Sequence, residues 1–194
     1  MSRPEHHWSR RRRLCVKLLN ARGVGQLGVL VVAQLLPLQT GLTTLILRDN
    51  SLKDDFLKVL APLETLSALT RLDLSDTQMH GKGCQALAEL LPKTQITALA
   101  LNGNTKLSDK EGTEGILALA AVLPDTKLVK LSVKLGGFNS DGLAEASNVA
   151  LIKAAKAHGM ESMNGDDSAG NPGAESAVSD ASMEKYPRGL YLDY

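Results

Sequence analysis

Residues 23–28 read Gly-Val-Gly-Gln-Leu-Gly, a G-x-G-x-x-G turn. Such a turn lets backbone come close to a pyrophosphate and aims the free N–H groups of a helix start at it. The turn follows an apolar stretch, residues 14–19, and opens a second one, residues 27–38. Asp49 stands about twenty residues on, where a dinucleotide site keeps the acid that holds a ribose hydroxyl. One reading of the chain is therefore nucleotide binding through Gly23–Gly28.

The remaining reactive side chains form no set. His6 and His7 adjoin near the start, His80 falls in a turn and His158 at a helix end, and none has a second His or a Cys at metal-ligand spacing. Cys15 and Cys84 are isolated, which fits neither a disulfide framework nor a zinc site and suits a reducing compartment. No nucleophile elbow accompanies the serines. The run Arg10–Arg13 has the charge to touch phosphate or an import receptor, and reads equally as a solvated basic edge. These residues point to no enzyme, no cofactor and no metal.

The elements that carry these residues explain the glycines differently. Residues 42–52, Leu-Thr-Thr-Leu-Ile-Leu-Arg-Asp-Asn-Ser-Leu, return in altered form at 69–79 as Leu-Thr-Arg-Leu-Asp-Leu-Ser-Asp-Thr-Gln-Met. Five units fit one frame, starting at Leu14, Leu42, Leu69, Ile96 and Leu128, the outer two degenerate. Position 4 holds Lys17, Leu45, Leu72, Leu99 and Leu131; position 6 holds Leu19, Leu47, Leu74, Leu101 and Val133. Position 9 holds Arg22, Asn50, Thr77, Asn104 and Gly136. Further along each of the first four units come the pairs Val32-Ala33, Leu60-Ala61, Leu87-Ala88 and Leu119-Ala120. In three of those units a glycine (Gly28, Gly83, Gly115) precedes the pair and a proline (Pro37, Pro92, Pro124) follows it. Apolar residues two apart predict a short strand, and those three and four apart a helix. Gly28 thus belongs to a column shared by units that lack the other glycines, which leaves only Gly23 and Gly25 to nucleotide chemistry. At position 9, an amide side chain meets both the donors and the acceptors of a strand's last peptides, a role that suits Asn50 and Asn104.

The pattern LxxLxLxxNxL, with a helix in each unit, resembles the ribonuclease-inhibitor-like class of leucine-rich repeats, to which ribonuclease inhibitor, the Ran GTPase-activating protein and NOD-like receptor repeats belong. That resemblance implies an α/β fold, a short right-handed leucine-rich-repeat solenoid with parallel strands on the concave face and helices on the convex face. It also implies that the outward strand positions recognise another protein. Those positions hold Thr44, Arg71 and Lys130 (position 3), Ile46, Asp73 and Ser132 (position 5), Arg48, Ser75, Asn102 and Lys134 (position 7), and Asp49 and Asp76 (position 8). The face mixes both charges and lacks aromatics, which suits a protein surface better than nucleic acid.

Residues 1–48 carry eight Lys/Arg against one acid, and residues 159–194 two against seven. The chain divides into a basic disordered head (1–13), a repeat domain (14–159) closed by a capping helix over 140–158, and a flexible acidic tail (160–194). All three tyrosines, Tyr186, Tyr191 and Tyr194, lie at the end of that tail, where they form either a docking motif or a frayed terminus. No apolar run reaches the length of a membrane span. The sequence reading is a non-enzymatic interaction module, an adaptor or peripheral subunit, acting as a monomer or within a hetero-complex. Its alternative is a regulator of an enzyme, such as a small-GTPase activator or an inhibitor. The cytoplasm is the expected location, with the nucleus or an organelle as the alternative raised by the Arg-rich start.

Overall fold

The computed structural model describes residues 18–52, 56–133, 143–164 and 189–192. The basic head, Lys134 and the start of the expected capping helix lie outside those residues. Among the described residues seven short parallel strands form one sheet: β1 (Leu18–Asn20), β2 (Thr44–Ile46), β3 (Arg71–Asp73), β4 (Ala98–Ala100), β5 (Lys130–Val133), β6 (Glu161–Asn164) and β7 (Gly189–Leu192). The helices are α1 (Gly25–Leu35), α2 (Phe56–Leu60), α3 (Gly81–Leu90), α4 (Lys110–Val122) and α5 (Leu143–Ala157). Each helix lies between one strand and the following strand of the chain, and from β1 to β5 neighbours in the chain are neighbours in the sheet. The fold is α/β, a parallel sheet with helices.

The strands align the repeat columns residue for residue. Leu45, Leu72, Leu99 and Leu131 are successive partners across β2 to β5, and all four are essentially without exposure. Leu47, Leu74, Leu101 and Val133 are buried beside them. Each such side chain contributes about 1.5–3 kcal/mol on leaving water, which is how a core with almost no aromatics is sustained. Helix ends follow the proline column. Pro37, Pro62, Pro92 and Pro124 each open a 3₁₀ turn directly after a helix, where the ring removes a donor that has no helical partner. The turns then lead back toward the next strand.

Helices α3 and α4 approach closely because glycines line the seam. A Cβ on Gly115 would stand 2.7 Å from the Cβ of Cys84, and one on Gly81 would fall 1.8 Å from the carbonyl oxygen of Glu111. Asp109 caps α4 by accepting the Gly112 N–H at 2.8 Å.

Two expectations need correction. The first unit is set two residues later than the leucine frame places it: Leu19, not Lys17, pairs with Leu45, and Ala21 donates its N–H to the carbonyl of Ile46. The register sets Leu19 opposite Leu45 and leaves buried Ala21 beside Ile46, two positions on; a lysine opposite Leu45 would instead set a charge in an apolar column. The tail is also not strandless. Glu161–Asn164 and Gly189–Leu192 join the sheet, in the order β5-β7-β6.

Candidate functional site

The candidate site is the polar half of the sheet and the turns at the strand ends. Its foundation is the position-9 amide. Asn50 is fully buried; its Nδ2 donates to the carbonyls of Ala21 (2.7 Å) and Leu47 (2.7 Å), and its Oδ1 accepts the Gly25 N–H (3.0 Å). Asn104 repeats the arrangement one step on: Nδ2 reaches Leu74 (2.9 Å) and Leu101 (2.8 Å), while Oδ1 accepts from the N–H groups of Thr77 (3.1 Å) and Met79 (3.0 Å). Each amide therefore joins its own turn to the previous one. Thr77, between them, has no amide to reach back to the previous turn; its Oγ1 lies 2.7 Å from the Leu74 carbonyl it donates to and 3.1 Å from Asn104 Oδ1 of the next turn.

The same bonds place the glycine-rich turn. Gly23 and Gly25 have φ of +65° and +74°, a left-handed backbone that glycine adopts without penalty. The Gly25 N–H, one of those a pyrophosphate would use at a helix start, is taken by Asn50. Asp49, the residue in the ribose position, is ion-paired with Arg22. The glycines are accounted for by the connection between the first two units.

Position 8 shows a regularity the sequence reading missed. Asp49, Asp76 and Gly103 have φ of +59°, +54° and +70°. Every described unit end bends there through the left-handed region, which explains why that column holds Asp, Asp and Gly. The signal was present in those residue types.

The expected contact residues divide by exposure. Thr44, Arg48, Asp73 and Ser75 are buried, Ser75 completely, and so are Ala98 and Ala100 between them. Ser75 is thus withdrawn from any contact surface. Their polar groups serve the sheet itself: Thr44 Oγ1 accepts from Arg71 Nε at 3.1 Å, Asp73 Oδ1 accepts the Ser75 N–H at 2.9 Å, and Arg48 Nη2 meets Asp76 Oδ2 at 3.0 Å. Arg48 also lies 3.8 Å from Asp49, so Arg22, Asp49, Arg48 and Asp76 form an alternating chain of charge along the strand ends. Burial pushes the Asp73 carboxyl above the usual range, offset in part by hydrogen bonding from Ser75 and the charge of Arg48. Asp49 is exposed, and Ile46, Arg71, Asp76, Asn102, Lys130 and Ser132 are half-exposed. Asn102 and Ser132 bond each other through both polar atoms of the amide (2.9 and 3.0 Å).

No family model matches this chain, and neither does any curated protein. Among solved structures it is similar to the actin-binding site 2 (ABS2) of leiomodin-1, at 17% identity over 73% of this chain and 82% of that one, with a TM-score of 0.56. At that identity the likeness speaks for the fold.

Elsewhere the chemistry is sparse. Among the described residues no group of three or more His, Cys, Asp or Glu is placed to hold a metal ion, and no helix is long and apolar enough to cross a membrane. Cys84 is buried, and burial pushes its thiol up to about 12, which removes it as a nucleophile near neutral pH. A shallow cleft of ≈ 250 Å³ between the start of β5 and the end of α5 is bordered by His158, whose Nε2 is already bonded to the Leu128 carbonyl at 2.9 Å.

Proposed function

We propose that this chain is a non-enzymatic protein-binding module, built as a short right-handed leucine-rich-repeat solenoid, whose partner lies against the outward face of the sheet. The supporting observation is the alignment of Arg71, Ala98 and Lys130 on successive strands. Two half-exposed cations flank a buried methyl, with half-exposed Ile46, Asn102 and Ser132 around them. The repetition of strand, turn and helix and the buried Asn50 and Asn104 favour the solenoid reading. Leiomodin-1 ABS2, similar in fold, is by its title a site that binds a protein. A surface of small side chains and both charges suits a protein with acidic groups spaced across two strands, about 10 Å apart.

The test is affinity capture from the native extract with wild type and Arg71→Glu/Lys130→Glu. A partner retained by wild type and lost by the double variant, at equal thermal stability, supports the face. Equal capture by both places recognition elsewhere. Co-sedimentation with purified actin is the first defined probe to offer.

A further inference from the structure

The helix columns set the first unit apart. Counted from the shared glycine column, Leu27 stands where α3 has Lys82 and α4 has Glu114, and Leu38 stands where the later units have Lys93 and Asp125. Those four charged residues are exposed, so both columns face water in the later units. In the first unit the same columns also lie outside, with Leu27 80% and Leu38 72% exposed, yet they carry leucine. Val31 lies between them in the column of Ala86 and Ala118, and exposed Val24 and Leu35 complete the row. Steps of three, four, four and three residues keep these five side chains on one side of α1 and the turn that follows it. A column that is charged in two units and leucine in a third, exposed in all, marks a contact surface, because burial against the sheet does not call for leucine there.

The charge around the row selects what meets it. No charged residue stands between Arg22 and Arg48, whereas residues 1–22 carry Arg3, the arginines at 10–13, Lys17 and Arg22 against Glu5 alone. β1 and β2 are parallel, so the chain brings the last turn of α1 back to the end where the strands begin, which is where the basic stretch enters β1 at Leu18. Arg13 lies within about 18 Å of Leu18, the longest reach of the chain between them. Among the described residues the exposed acids of the second unit, Asp49 and Glu64, are ion-paired with Arg22 and Lys93. Two α1 rows packed together would meet none of the basic charge with its opposite. Five such side chains also expose on the order of 500 Å², short of the ~800 Å² per partner in a stable interface. A bilayer surface supplies hydrocarbon for the leucines and negative headgroups for the arginines.

We propose that the exposed row of α1 is a membrane-surface contact: Val24, Leu27, Val31, Leu35 and Leu38 seat in the acyl boundary of a bilayer bearing anionic lipids, and the basic residues before β1 lie against its headgroups. The helix rests along the surface and nothing crosses it. The contact is made by the helix side of the first unit and does not rest on the outward strand face proposed above.

The probe is co-sedimentation of the full chain with vesicles of phosphatidylcholine alone or with about one quarter phosphatidylserine. Wild type should bind the mixed vesicles about tenfold more tightly than the neutral ones and lose most of that preference in high salt. Leu27→Lys/Leu38→Lys gives the first unit the residues that α3 and its following turn already carry in those columns, and it adds positive charge. It should nevertheless bind the mixed vesicles about tenfold more weakly than wild type, because the apolar row is broken. Binding by this variant equal to or tighter than wild type means that charge alone is at work and overturns the proposal, as does wild type that stays in the supernatant. A wild-type dimer that the variant dissociates, with no vesicle binding, would make the occupant a second copy, against a membrane. If the variant does not fold, wild type decides: mixed vesicles should slow amide exchange in α1 and leave α3 and α4 as they were, and unchanged exchange in α1 refutes the contact.

Discussion

Asn104 satisfies two carbonyls and two N–H groups inside the core, none of which has water to turn to. An unpaired buried group costs about 1–3 kcal/mol, so Asn104→Ala should lose about 3–5 kcal/mol in urea unfolding. Thr77→Val keeps the shape and removes one hydroxyl bonded to Leu74, so it should lose only about 1–2 kcal/mol. The reverse order of the two variants would mean that the amide ladder is not what holds the turns. Asp73 carries a burden of the opposite kind. Its carboxyl is pushed above 3.8 in the fold by burial, so the folded state holds its proton more tightly than the unfolded chain does. Stability from this group is therefore greatest below about pH 3.8 and declines as pH rises toward the raised value, beyond which the penalty is constant. Asp73→Asn, which can still accept the Ser75 N–H, should melt higher than wild type at pH 7, and the difference should shrink in acid. A variant less stable at pH 7 would show that the carboxylate's attraction to Arg48 outweighs its loss of water.

At the scale of elements, the glycine column separates contact from mere helix chemistry. Gly115 in α4 lies against Cys84 and the Gly81 carbonyl of α3, with a Cβ contact of 2.7–2.8 Å. Gly28 holds the same column in α1, and there a Cβ meets only Val24, one turn earlier in the chain. Gly115→Ala should therefore pry α3 from α4 and cost about 1–3 kcal/mol, the range for overpacking. Gly28→Ala should cost less, up to ~1 kcal/mol, because its Cβ would stand 2.9 Å from the Val24 Cβ, which rotation cannot move, yet only that one residue at the helix start has to shift and helix propensity offsets part of the cost. Thermal melts of the pair decide it, and equal losses would mean that α1 is also packed at that column. This contrast shows how far the sequence was legible. The strand columns and the helices were readable because burial imposes period two and period three-to-four on apolar residues. Leu45, Leu72, Leu99 and Leu131 announced their sheet in that way. The first unit's register was not, because Leu14, Leu18 and Leu19 offer two frames and only the cost of burying Lys17 chooses between them. Nor was β7 readable, since two leucines in a four-residue segment carry no period. The outward face was legible as positions but not as exposure. Whether Asp73 or Ser75 reaches solvent depends on neighbouring strands and turn bonds that a column of letters does not weigh.

Over the whole molecule, the solenoid proposed above implies a stability close to a sum of units and the seams between them, so that damage need not spread evenly. Helix α1 buries only Val29 and Ala33, whereas α3 buries six of its ten residues. Val24, Leu27, Val31, Leu35 and Leu38 stand exposed along one side of the first unit. The β1–α1 end should thus open at a lower free energy than the centre, on the order of a few kcal/mol below the global value, and α3 with β3 and β4 should exchange only through global unfolding. Asn50, bonded to Ala21 and Gly25 of the preceding unit, is a buried polar link across that first seam, beside the exposed Arg22–Asp49 pair. Asn50→Ala should accelerate amide exchange in β1 and α1 far more than in α3 and α4. Asn104→Ala, whose bonds join the two turns at the centre, should instead lower protection everywhere. Native-state hydrogen exchange on the two variants distinguishes a nearest-neighbour array from a single cooperative unit. In the first case the two maps differ; in the second, both substitutions lower all slow amides together, and the seam is not where this fold comes apart.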